Sequence, residues 1–245
     1  MIQIVKKIIA LFYYNLVGKY KDKTGNRVIL YHSIGTQLDF DTYGISISKE
    51  KFEEHIEFLR HEYEIIPIDK MYEHNLNRKT IAITFDDGYK DNLYALELCE
   101  KYNIPFTLYI TTGFIGKKDY LTTEDIKRFS ESSFCILGTH SVSHPHLDKL
   151  DYDTQYKELS ESKRTLENII GKEVVHMSYP HGSYNMDTIE IIDKLGYNVV
   201  SSSNIGLNTV NNLNLKELKR IEIIKSDNIR QLEKKSKVIM TFCHN

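Results

Sequence analysis

Short apolar runs alternate with helical spacing from residue 27 onward, which predicts an α/β fold with parallel strands, as a sheet or a barrel. Two further observations support it. The run TIAITF at 80–85 ends in Asp86-Asp87-Gly88 and leads into helical spacing over 91–102, a strand–loop–helix unit rather than a hairpin. The 245 residues contain no Pro/Gly/Ser-rich linker, internal repeat or low-complexity tract, and 41% are hydrophobic, enough for one large core. A single domain over 25–245 is expected, preceded by a helical segment at 1–24.

In that first segment, MIQIVKKIIALFYYNLVGKYKDK, the side chains of Ile2, Val5, Ile9 and Phe12 fall near one helical face between lysines. Its uninterrupted apolar part, 8–14, is too short to span a bilayer, and no small-residue cleavage site follows Lys6 and Lys7. Packing against the domain is the favoured placement, because amphipathic helices usually bury their stripe in protein. The other placement is a peripheral membrane contact through residues 1–20 on an anionic surface. With no clear export signal, the cytoplasm or its membrane face is the expected location, and export stays open.

RVILY at 27–31 is a compact strand that delivers His32 at its end. Ser48 is placed to cap a helix with a buried stripe of Phe52, Ile56 and Leu59, ending near Tyr63; Lys51 at the third helical position precludes a full capping box. Ile65, Ile66 and Ile68 form a brief strand before a short helix that starts at Asp69. After the 80–102 unit, PFTLYIT at 105–111 is a strand closed by Gly113, 123–129 is helical, and 134–137 is a strand entering Gly138-Thr139-His140. Residues 153–170 form a long helix, with Tyr156, Leu159, Leu166 and Ile170 near one face and Gly171 as its stop. A strand at 174–177 leads into Tyr179-Pro180-His181-Gly182, followed by a helix at 187–195 and a strand at 198–202. The run 237–242 is strand-like and presents His244.

A formal net charge of -2 offers no electrostatic reason to expect nucleic acid. Cys99, Cys135 and Cys243 lack a Cys-x-x-Cys pair and read as inert thiols. Asp86 and Asp87 at a strand end are the first chemical candidates, because catalytic groups of strand–loop–helix units gather at the carboxyl ends of strands. His140 and His144, four residues apart with His146 close behind, are the second. Two neutral imidazoles plus one carboxylate, with a position open to water, form the ligand set of many hydrolytic metal sites. Adjacent acids then allow a division of labour, one binding metal while the other takes a proton.

TFDDG at 84–88, HSVSH at 140–144 and the Pro145-His146-Leu147 that follows resemble the polysaccharide deacetylases, carbohydrate esterases of family four. The likeness covers most of the chain from about Arg27. It implies a distorted (β/α)7 barrel and metal-dependent hydrolysis of N-acetyl groups on a sugar polymer, oligosaccharide or lipid-linked sugar. Zinc is the divalent metal expected, with cobalt, nickel or another ion as alternatives. By the same likeness Asp86 is the catalytic base, and Asp87, His140 and His144 are the metal ligands.

The form Tyr179-Pro180-His181-Gly182 resembles the branch containing poly-N-acetylglucosamine deacetylases, where segment order is circularly shifted and an early Tyr-His pair supplies the general acid. Tyr31-His32 matches that pair, and His32 is preferred to His244 because a chain end frays easily. Tyr179, Pro180 and His181 are the implied substrate and oxyanion residues, through the N–H of His181. The family's usual arginine before the prolines is missing. Arg220, in KRIEI, is the candidate to steady Asp86, against the plainer reading of a surface ion pair.

Rival chemistries fit less well. Non-haem iron oxygenases also use two histidines and a carboxylate, but in all-β jelly rolls. Glycosidases need carboxyls roughly 5 to 9 Å apart across a sugar, which adjacent acids do not provide. A catalytically impaired carbohydrate-binding domain on the same fold is the non-enzymatic alternative, motivated by the missing arginine. An N-acetylated carbohydrate is the one partner expected, and oligomeric state is not legible.

Overall fold

The computed structural model describes residues 25–72, 79–209 and 211–237. The expected N-terminal helix at 1–24, the strand-like run after Lys237, and His244 lie outside the described residues.

Arg27–Tyr31 (β1) sends Ile29 and Tyr31 to an outer core shared with the helices, while Val28 joins a second cluster with Ile66, Ile68, Met71, Ala82, Val199 and Leu218. This period-two division recurs along the other long strands. Two short strands, Ser33–Ile34 (β2) and Ser46–Ile47 (β3), pair with each other. Helix α1 (Lys49–Glu62) has Ser48 as its cap, accepting from the Lys51 N–H, and buries Phe52, Ile56 and Leu59, as the spacing predicts. Glu64–Ile65 (β4) pairs with the start of Thr80–Phe85 (β5), and a single 3-10 turn at Ile68–Lys70 stands where a helix from Asp69 is expected.

Next come α2 (Asn92–Tyr102), β6 (Phe106–Ile110), α3 (Thr123–Glu131) and β7 (Cys135–Thr139). They are followed by α4 (Tyr152–Ile170), β8 (His176–Ser178), α5 (Met186–Lys194), β9 (Val199–Ile205), β10 (Leu218–Glu222) and α6 (Ile229–Lys237). In the order β1-β5-β6-β7-β8-β9-β10 each strand pairs in parallel with the next, and β10 pairs with β1 to close a seven-stranded barrel. The chain thus has the (β/α)7 barrel expected of it, with helices outside. The carboxyl ends of all seven strands share one rim.

Three further details differ from the sequence reading. The strand expected at 134–137 continues to Thr139, because Gly138 faces a crowded interior: a Cβ there would lie 2.6 Å from the Tyr109 ring and 2.8 Å from the His176 carbonyl. The buried face of α4 is Gln155, Leu159, Ser162 and Leu166, while Tyr156 is exposed. Buried Gln155 and Ser162 are polar, hidden because they bond Leu150 and Ser141 carbonyls, so an apolar pattern misplaces the stripe by one position. Lys237, expected to open a strand, closes α6.

His55 is fully buried beneath α1, with Nδ1 3.3 Å from the Tyr31 hydroxyl, and burial pulls its pKa down to about 4. The unfolded imidazole titrates near ~6.5, so between those values the unfolded chain binds the extra proton. Stability from this group is complete above pH ~6.5 and falls toward pH ~4, by on the order of 3 kcal/mol. Urea unfolding at several pH values should show that loss, and it should shrink in a His55→Leu variant. An unchanged pH profile in the variant would locate the effect elsewhere.

Candidate active site

Asp86 is the first residue after β5, and its N–H still donates to the Tyr31 carbonyl at 3.0 Å, so the ladder fixes its backbone. Its carboxylate is gripped from below by Arg220 of β10, Nη1 to Oδ1 and Nη2 to Oδ2, both at 2.7 Å. The two side chains are 1% and 4% exposed, so this is no surface ion pair. The fork is itself held: Nε donates to Ser202 O at 2.8 Å, Nη1 to Thr84 Oγ1 at 3.3 Å and Nη2 to Ser178 Oγ at 2.8 Å. Ser178 Oγ in turn donates to Asp86 Oδ2 at 3.1 Å. Burial pushes the Asp86 pKa up, but Arg220 and then His140 oppose it and hold the carboxyl well below the usual carboxylate range.

Asp87 turns away from this pair because its backbone is left-handed, φ 75, followed by Gly88 at φ 80. Two neighbouring acids therefore enter different surroundings. Asp87 Oδ1 lies 3.4 Å from His144 Nε2 and 3.7 Å from His140 Nε2. The buried Tyr89 hydroxyl hydrogen-bonds the Asp87 carboxylate, and burial keeps that hydroxyl protonated.

His140 follows β7 and is 2% exposed. Its Nδ1–H donates to Ser178 O at 2.7 Å, which leaves Nε2 as a lone pair aimed at His144 Nε2, 3.1 Å away. Burial pulls the His140 pKa down to about 4, so the ring is neutral at pH 7. The chain reverses through left-handed Ser141 and His144, φ 61 and 60. Helix α4 secures that reversal: Glu158 accepts from Val142 N (3.0 Å), Ser143 N (2.8 Å) and Ser143 Oγ (2.7 Å). Left-handed non-glycine residues are costly, and Asp87, Ser141, His144 and His181 place four of them around one site.

Asp87, His140 and His144 are the only group of three potential metal ligands within reach of one another among the described residues, their donor atoms all within 4.8 Å. Separations of 3.1, 3.4 and 3.7 Å bracket the edge of a tetrahedron with bonds of about 2.1 Å, roughly 3.4 Å. One carboxylate and two imidazoles in that arrangement fit a divalent cation, and His140 already has its outer nitrogen engaged as such ligands do.

His32 leaves β1 on the same rim, and its ring adds to the lowering of Asp86 after Arg220 and His140. Asn92 Nδ2 donates to its carbonyl at 2.7 Å, and its Nδ1 is buried without a protein partner. Pro180 opens a 3-10 turn after β8, and His181 sits in it at φ 56. The turn uses the N–H groups of Gly182 and Ser183, donating to Tyr179 and Pro180 carbonyls, which leaves the His181 N–H outside that pattern. The Tyr179 side chain is not brought to the site: it is buried in the outer core against Leu159, Ile191 and Val200, with its hydroxyl on Lys216 O.

The profile of the polysaccharide deacetylase family matches residues 73–200, which contain Asp86, Asp87, His140, His144 and His181. The chain belongs to the polysaccharide deacetylase family. It is 29% identical over 177 residues to the Bacillus subtilis protein YxkH, covering 69% of this chain and 61% of that protein. It is 30% identical over 135 residues to the peptidoglycan-N-acetylmuramic acid deacetylase PdaA of Bacillus subtilis, covering 54% of this chain and 49% of PdaA. With the poly-beta-1,6-N-acetyl-D-glucosamine N-deacetylase of Staphylococcus aureus the identity is 25% over 171 residues, covering 62% and 59%. The chain thus spans about half to three fifths of the length of these relatives. Among solved structures, the Streptococcus pyogenes deacetylase PplD in complex with acetate shares the fold, with a TM-score of 0.77 at 24% identity over 87% of this chain and 99% of PplD. Polysaccharide deacetylases of this family use a divalent metal, and Asp87, His140 and His144 are the group here that suits one.

Ser178, Tyr89 and Glu158 escaped the sequence reading, since each acts on a site residue distant in sequence or by a bond only the fold reveals. Glu158→Ala removes the acceptor of three donors in the His140–His144 turn. It should weaken metal affinity by about tenfold, read by competition with a chromogenic chelator, with the fold intact by circular dichroism.

Proposed function

We propose that this polysaccharide deacetylase is a metal-dependent hydrolase that removes N-acetyl groups from an N-acetylated sugar polymer, oligosaccharide or lipid-linked sugar, with zinc as its metal. The observation that carries the reading is the different company of two adjacent acids: Asp86 is held by buried Arg220, with Oδ2 also 3.7 Å from His140 Nε2, while Asp87 reaches both His140 and His144 and completes the three-ligand group. Asp87, His140 and His144 would hold the divalent ion, which when bound would supply Lewis acidity toward an acetamide carbonyl and toward water.

Asp86 is the base. Arg220 keeps it ionised across the working pH range, ready to take the proton from the water whose oxygen bonds the acetamide carbon. The N–H of His181, outside the hydrogen bonds of its own turn, donates in this reading to the oxyanion that forms as the carbonyl is attacked. His32, protonated, gives its proton to the departing nitrogen, and acetate and a free amino sugar leave. Arg220 stands in for the arginine absent from the run before Pro180, which removes the feature that motivated a binding-only domain.

Acetate release from N-acetylglucosamine oligomers, with and without chelator and added metal, tests this reading. Release is expected, lost in chelator and restored by zinc; release of reducing sugar without acetate would contradict it. His32→Ala should lower turnover by about 100-fold or more while leaving metal content unchanged. Full activity in that variant would remove His32 as the acid.

A further inference from the structure

His146 and His181 lie beside the cluster and take no part in the chemistry assigned above through their rings. Their ring centroids are 4.0 Å apart with planes at 13°, a parallel stack, and His181 in turn lies 4.3 Å from His144 at 64°. Both residues are exposed, whereas the His144 side chain is 22% exposed and His140 is buried. The series His140, His144, His181, His146 therefore runs from the buried ligands out to solvent.

The outer pair is tethered on both sides. His181 is left-handed at φ 56 and its ring hydrogen-bonds the His144 backbone. Leu147, next to His146, is fully buried, and Asp148 N donates to Ser183 Oγ at 3.1 Å while Ser183 Oγ donates back to Asp148 Oδ1. Those bonds tie the 144–149 loop to the 180–184 loop. His146 and His181 do not belong to the three-ligand group, so they are not explained as metal ligands. A preorganised, exposed aromatic surface with ring nitrogens at its edge, beside a catalytic cluster, has the character of a ligand contact.

We propose that His146 and His181 form a ledge for the pyranose ring next to the one whose acetamide reacts, with the sugar's C–H face against His146 and its hydroxyls on the imidazole nitrogens. The sugar's identity rests on the deacetylase reading; the ledge itself rests on the ring geometry. Its consequence is a preference for oligomers over the monosaccharide.

Isothermal titration of the full chain in chelator, where nothing is consumed, compares N-acetylglucosamine with its tetramer. The ratio of tetramer to monomer affinity should fall about tenfold in His146→Ala and return largely in His146→Phe, which keeps the aromatic face. An unchanged ratio in His146→Ala, or a wild-type chain that binds the tetramer no better than the monomer, overturns the ledge. Acetate release by the metal-loaded wild type is measured in parallel. No release together with the His146-dependent ratio would sink the deacetylase reading and leave the ledge standing.

Discussion

Asp87→Ala is expected to lose the metal, and Asp86→Ala to keep it. The structure separates these neighbours by a left-handed turn, so they share a motif but not an environment. Asp87 Oδ1 completes a donor triangle with two imidazoles, and without it only His140 and His144 remain. Metal content of the purified Asp87 variant should fall toward zero, and acetate release with it, by at least ~1,000-fold. Asp86→Ala should retain about one ion per chain while turnover falls by roughly 100- to 10,000-fold, the range for losing a positioned base. Elemental analysis alongside an acetate assay distinguishes the two. Equal metal loss in both variants would mean that the acids act together on the ion.

Arg220→Met should be the most destabilising single change at the site. It leaves the Asp86 carboxylate, 3% exposed, without its bidentate partner, and breaking a buried pair costs about 3–5 kcal/mol. The pH dependence gives a second reading. In the wild type the Asp86 pKa is depressed, so its contribution is complete above the unfolded value near ~3.9 and is lost as pH falls through the folded value. Without Arg220 burial dominates and the pKa rises, so the variant should regain stability on acidification to where Asp86 protonates. The double variant Arg220→Met/Asp86→Asn should recover much of the loss at pH 7, since no buried charge is stranded. Denaturant unfolding at pH 5 and pH 7 measures all three chains. Equal stability of wild type and Arg220→Met would show the pair to be energetically idle.

The barrel was legible because each long strand carries its own signal, from RVILY at 27–31 to FTLYI at 106–110, and each helix has a cap or an apolar stripe. What stayed hidden depends on contacts between distant segments. Arg220 could be named as a candidate partner of Asp86, but no strand is legible at 218–222, and it is barrel closure that turns Arg220 inward onto that carboxylate. Ser178 looks like a filler residue until its carbonyl is found holding His140 and its hydroxyl bridging Arg220 and Asp86. Tyr179 illustrates the opposite error: the family resemblance implies a substrate contact, but strand alternation sends its side chain to the outer core. Glu158 sits on a helix face and braces a loop 15 residues away, which no local pattern announces.

Anomalous X-ray diffraction from crystals of the zinc-loaded chain tests the central claim most directly. The expected result is a single strong peak about 2.0–2.2 Å from an Asp87 oxygen, His140 Nε2 and His144 Nε2, with both Asp86 oxygens outside that shell and still on Arg220. A peak elsewhere, or one that draws Asp86 off Arg220 as a ligand, would contradict the division of labour on which the proposed hydrolysis depends.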